Sequence, residues 1–197
     1  GGQQNIPPPS EQLENDGPSR SPAPVAVVLL DNDYSPPSGA YYFRQEVWSQ
    51  YNGTRLIAST RGDVDHDVAD DFPTLDTPIQ DVPPQAGRTR VSAMVALLVP
   101  HAHPFALESP ALYQPAPNPN PDRFVRAFRF QSWSQTLDYR RLIGRPAGQH
   151  TWSPEVRAYY TQAPTDPRYH ELAQRIVNER LPVRLRSDPF AQALAIK

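Results

Sequence analysis

The sequence predicts a mainly β, α+β fold: an antiparallel sheet or sandwich followed by two to three C-terminal helices. Three observations carry that expectation. Proline accounts for 25 of the 197 residues, roughly two and a half times the usual ~5%, a density that disfavours a helical bundle. Runs rich in β-branched and aromatic residues recur between residues 25 and 130 with no helical periodicity between them, as in an antiparallel sheet. Beyond residue 150 the pattern turns helical, and three times a Ser or Asp stands directly before a proline, the signature of a capped first turn.

Residues 1–24 carry Pro7, Pro8, Pro9, Pro18, Pro22 and Pro24 among polar residues and are expected to form a Pro-rich linker. Residues 25–30 are a short apolar run closed by Asp31, Asn32 and Asp33, which suits a buried strand and a turn. Residues 41–51 and 54–60 are two β-prone runs around Asn52-Gly53, a hairpin signal. Over residues 88–99, Val91, Ala93, Val95, Leu97 and Val99 share one strand face, and residues 124–130 alternate in a further strand,. The seven prolines between residues 100 and 121 predict a long irregular connection, since ladders and helices both need the missing N–H. Ser153-Pro154 opens a helix through Tyr160, and Asp166-Pro167 a longer one through about residue 180, with Leu172, Ile176 and Val177 inward,. Ser187-Asp188-Pro189 starts a third, whose apolar face begins with Phe190, Ala191, Leu194 and Ala195. So short a helix is marginal alone, which leads us to expect a chain that continues beyond Lys197. The expected organisation is a linker at 1–24, a β domain at 25–150 with its Pro-rich loop at 100–121, and a helical lead-in at 151–197.

The net charge of −2, with scattered basic residues, provides no footprint for nucleic acid. No cysteine is present, so disulfides, thiolate metal sites and a cysteine nucleophile are excluded within these residues. No apolar stretch approaches the ~20 residues of a membrane-spanning helix. Ser, His and Asp occur without a Gly-x-Ser-x-Gly elbow or similar arrangement,.

Four groups of residues invite a chemical reading. Asp63, Asp65 and Asp67, with Asp70 and Asp71 nearby, resemble the opening of a calcium loop, but Val68 stands where glycine is needed and Thr74 where the bidentate glutamate belongs,. A solvated acidic loop is therefore expected. His101 and His103 would point to one side of an extended segment, yet no third ligand has metal-site spacing,. Asn52-Gly53-Thr54 fits a glycosylation acceptor,, although the hairpin turn already accounts for Asn52 and Gly53. Tyr41, Tyr42, Phe43, Trp48 and Tyr51 could form a stacking platform, but their mixed parity assigns most of them to a sheet core,.

The segment Ala40-Tyr41-Tyr42-Phe43-Arg44-Gln45-Glu46-Val47-Trp48-Ser49-Gln50-Tyr51-Asn52-Gly53 resembles the strand and turn that follow the membrane anchor in bacterial membrane-bound transglutaminase-like proteins. Tyr159-Tyr160, Pro164-Thr165-Asp166-Pro167-Arg168-Tyr169, Glu171-Leu172-Ala173 and the start at Asp188-Pro189-Phe190 resemble the helical lead-in to that family's papain-like catalytic domain. The resemblance implies a cysteine nucleophile activated by histidine and aspartate, acting through a thioester, with those residues beyond Lys197. No residue of this sequence then inherits a catalytic role, and the residues themselves assign none to a cofactor or a metal. The implied function is that of a non-catalytic accessory segment, truncated before the catalytic cysteine. It would act at the periplasmic or extracellular face of the cytoplasmic membrane and position the catalytic domain or a polypeptide substrate. Its implied partners are the downstream papain-like domain of the same polypeptide and a protein substrate, with membrane attachment only through segments absent here. The length of the loop at 100–121 suggests a further expectation, contact with the catalytic domain, which alanine substitution of Phe105, Leu107, Leu112 and Tyr113 would test,. A stand-alone β-sandwich binding module for carbohydrate or protein, with the aromatic hairpin as recognition surface, is the alternative.

Overall fold

Alternation along two ten-residue strands builds the centre of the protein. The computed structural model describes residues 23–80, 82, 85, 87–135, 142–148 and 152–197. In chain order these form β1 (Ala26–Leu30), β2 (Phe43–Arg44), β3 (Gln50–Tyr51), β4 (Leu56–Ile57), β5 (Thr77–Pro78), β6 (Arg88–Leu97), β7 (Ala106–Leu107), β8 (Pro110–Pro115) and β9 (Arg126–Gln135). The helices α1 (Pro154–Tyr160), α2 (Pro167–Arg180) and α3 (Pro189–Ile196) follow. The predicted fold class is the observed one. A five-stranded antiparallel sheet runs in the order β1-β6-β9-β8-β5, beside the small ribbons β2-β7 and β3-β4.

β6 and β9 pair over their whole length, with Ala93 opposite Phe130 and Val95 opposite Phe128, and Tyr113 of β8 lies opposite Phe130. One sheet face thereby carries Val91, Ala93, Val95, Leu97, Tyr113, Phe128 and Phe130, all buried. Phe105, Ala106, Leu107, Ala69 and Ile79 from the long connections cover that face. Phe105 and Phe72 stand edge-on to Phe128, with centroids 5.9 and 5.5 Å away. Burying such rings is the main source of stability for a sheet of this size.

Several local expectations are corrected. The segment 100–121 is not wholly irregular, because it supplies β7 and β8. Its prolines are tolerated by position: Pro110 and Pro115 terminate β8, Ala111 is bulged out of register, and residues 111–114 keep their amides,. Phe105, Leu107 and Tyr113 go into the chain's own core, and Leu112 is half-buried. Residues 41–51 do not form one strand either. Arg44 turns to Asp67, Gln45 donates to the His103 carbonyl and Ser49 to Asp65, and these polar ties pull residues 45–49 out of any ladder. Only Leu56 and Ile57 of the second run pair. Val99 lies outside β6 and is exposed, and Leu172 is exposed while Val177 is buried. Of the expected linker, residues 1–22 lie outside the described residues.

The three helix starts are as expected. Ser153, Asp166 and Asp188 each accept a backbone N–H of the first turn. Asp188 also accepts the Gly144 amide, tying residues 142–148 to α3. α2 and α3 pack on each other, and Arg180 donates to the Ala195 carbonyl at 3.0 Å. No described helix is long and apolar enough to cross a membrane.

Candidate functional site

The acidic stretch after the β3-β4 hairpin forms one wall of an open groove of about 810 Å³. Val64 and Ala69 are buried, and Ala69 joins the core cluster, which anchors this largely polar loop. The irregular segment 45–48 and His103 also line the groove. Trp48 is 47% exposed along the groove. Glu46, Asp65, Asp70 and Asp71 line it against Arg61, His66 and His103. Among the described residues, no ion pair includes Glu46, Asp70 or Asp71, so the groove is electronegative.

The three aspartates of the calcium-like run do not converge. Asp63 is clasped by Arg61, whose guanidinium hydrogen bonds hold that carboxyl below the usual carboxylate range,. Asp67 pairs with Arg44 at 2.6 Å. Asp65 accepts the Ser49 hydroxyl at 2.5 Å and the Tyr160 hydroxyl at 3.0 Å, and its own amide donates to the Tyr160 oxygen at 3.0 Å. Its backbone stands at φ +62°, in the left-handed region, which these bonds help to hold. Among the described residues no group of three His, Cys, Asp or Glu side chains is placed to hold a metal ion.

The two histidines also separate. A His103 ring nitrogen lies 2.5 Å from the Asp70 carbonyl. His101 stands edge-on to Phe105 at 5.6 Å, with a buried Nε2 that has no partner among the described residues. Asn52 is a turn residue: its side-chain oxygen accepts the amides of Thr54 and Arg55, and Gly53 at φ +96° completes the bend,. The aromatics of residues 41–51 are not taken up by the sheet core as expected: Tyr41, Tyr42, Phe43 and Trp48 are exposed and Tyr51 is half-buried, each in its own setting. Phe43 packs edge-on to Phe105 and Phe130, Tyr41 donates to the Tyr34 carbonyl and Tyr51 to the Gly53 carbonyl. Trp48 alone of the five lines the groove.

Sequence reasoning passed over the attachment of α1 to this wall. Tyr159 donates to Ser59 at 2.6 Å, and Arg61 lies over its ring at 5.0 Å, a cation–π geometry. Tyr160, one residue on, bonds Asp65 and stacks on Trp152 with centroids 4.8 Å apart. Burial, reinforced by the carboxylates of Asp65 and Asp67, pushes the Tyr160 phenol up to about 12,. Ser59, Arg61 and Asp65 thus line the groove on one side and hold α1 on the other. The Tyr159-Tyr160 pair was visible in the sequence, but only its partners about 95 to 100 residues away give it a role.

No protein-family model, curated protein or solved structure matches the chain.

Proposed function

We propose that this chain is a non-catalytic polypeptide-binding segment, the accessory part of a transglutaminase-like enzyme acting outside the cytoplasmic membrane. The groove would hold a lysine-bearing stretch of substrate for the catalytic domain that follows. One observation carries the reading: the residues that line the electronegative groove also anchor α1. A ligand there lies against the point from which the helical segment departs. Exposed carboxylates suit a primary ammonium group, and Trp48 provides a flat apolar surface for its methylene stem. The enzyme class and the location outside the membrane rest on the sequence resemblance alone.

Titration of a decapeptide bearing lysines and glutamines, followed by calorimetry and tryptophan fluorescence, tests it. Saturable binding is expected, weakened by Asp70→Asn with Asp71→Asn and by acetylation of the peptide's lysines. Absence of binding, or binding indifferent to both changes, would overturn the reading. Binding of a neutral oligosaccharide in preference to the peptide would instead favour a stand-alone carbohydrate module, since a half-exposed indole also accepts a sugar ring.

A further inference from the structure

The two edges of the main sheet are protected very differently. β5 is two residues long and contains Pro78, which suits an edge that resists pairing. β1, at the other edge, spans five residues, AVVLL, with neither charge nor proline. Its pairing with β6 fixes which backbone groups are used. The Leu98 amide donates to the Val25 carbonyl and the Asp31 amide to the Ser92 carbonyl. Odd-numbered residues therefore bond inward, and alternation turns the amides and carbonyls of Ala26, Val28 and Leu30 to the outer edge. Their side chains pack against the core, whereas Val27 and Leu29, 43% and 66% exposed, stand on the open face.

We propose that this edge pairs with a second copy of the chain, β1 against β1 in antiparallel register, to give one continuous sheet across a two-fold axis. Centred on Val28, the pairing uses the whole strand. Val28 meets its own copy, Ala26 meets Leu30, and Val27 meets Leu29 on the open face. The arrangement is isologous, so the outward-turned donors and acceptors of one copy match those of the other. Charge favours it too. No charged residue lies within the paired strand, and Asp31, just past its end, is already paired with Arg129 and would face the neutral Val25 of the second copy. A pairing edge of only five residues suits a weak, concentration-dependent dimer.

Sedimentation velocity of the full chain, over concentrations on the order of 1 to 300 µM, reads the equilibrium. The expected result is a concentration-dependent dimer. Val27→Lys with Leu29→Lys sets like charges opposite each other twice and should weaken association by on the order of tenfold. Val27→Lys with Leu29→Glu sets Lys against Glu in the same register and should restore it. A wild-type chain that stays monomeric throughout overturns the proposal. So does a Lys/Lys variant that associates as tightly as wild type, or a Lys/Glu variant that, folded by circular dichroism, fails to recover.

Discussion

Replacing Tyr160 by Phe removes one oxygen and two hydrogen bonds, while the ring can stay stacked on Trp152. The hydroxyl donates to an Asp65 carboxylate oxygen and accepts the Asp65 amide, both at 3.0 Å. A neutral hydrogen bond contributes about 1 kcal/mol net, and one to a charged group about 1.5–3 kcal/mol. The site is only half-buried and water can replace part of the loss, so the lower ends of those ranges apply and Tyr160→Phe should cost about 2 kcal/mol. For a chain of this size that lowers the melting temperature by about 4–8 °C. Urea unfolding monitored by circular dichroism measures it. A double-mutant cycle with Asp65→Ala should return a coupling energy of about 1 kcal/mol or more. A loss below about 0.3 kcal/mol, or no coupling, would refute the claim that this residue fastens α1 to the groove wall. The sign of the pH effect follows from the raised pKa. Stability from the protonated phenol is complete below its unfolded value near 10 and is lost as pH rises through about 12. Tyr160→Phe should flatten the alkaline fall over that window.

Further outcomes follow from other positions. Tyr113 is 1% exposed with a hydroxyl that has no partner among the described residues, so Tyr113→Phe should leave stability unchanged or raise it by up to about 1 kcal/mol in urea unfolding; a marked loss would reveal a partner for the hydroxyl. Gly148 stands at φ +80°, and a Cβ there would meet the Trp152 ring at 2.8 Å; Gly148→Ala should cost about 1–3 kcal/mol and alter the near-UV circular dichroism of Trp152. The backbone amides of Ala191 and Gly144 hold Asp188 below the usual carboxylate range. Its contribution is therefore present above about pH 4 and lost as pH falls through the lower folded value; in acid unfolding, Asp188→Asn should lose less than wild type over that range.

The strands with strict alternation and the capped helices were legible because local chemistry decides them: the Val91 to Leu97 face, the Asn52-Gly53 turn, and Asp188 before Pro189. What the sequence hid was long-range. β8 was masked by prolines that matter only by where they fall in the strand. The break in residues 41–51 depends on Asp65, Asp67 and His103, none of which is near in sequence. The same holds for the groove, whose walls meet only after Arg44, Gln45 and Ser49 find their partners. The run of aspartates drew notice as a set of cation ligands, yet Arg61, Arg44, Ser49 and Tyr160 spend three of them on holding the loop and α1.

The most direct test of the account is a nuclear magnetic resonance titration of the uniformly ¹⁵N-labelled full chain with the lysine-bearing decapeptide. The amide shifts should concentrate at residues 46–48, 59–61, 65–72 and 103, and saturate with a single affinity. Shifts confined to other surfaces, or none at high peptide concentration, would contradict the assignment of this groove as the binding site.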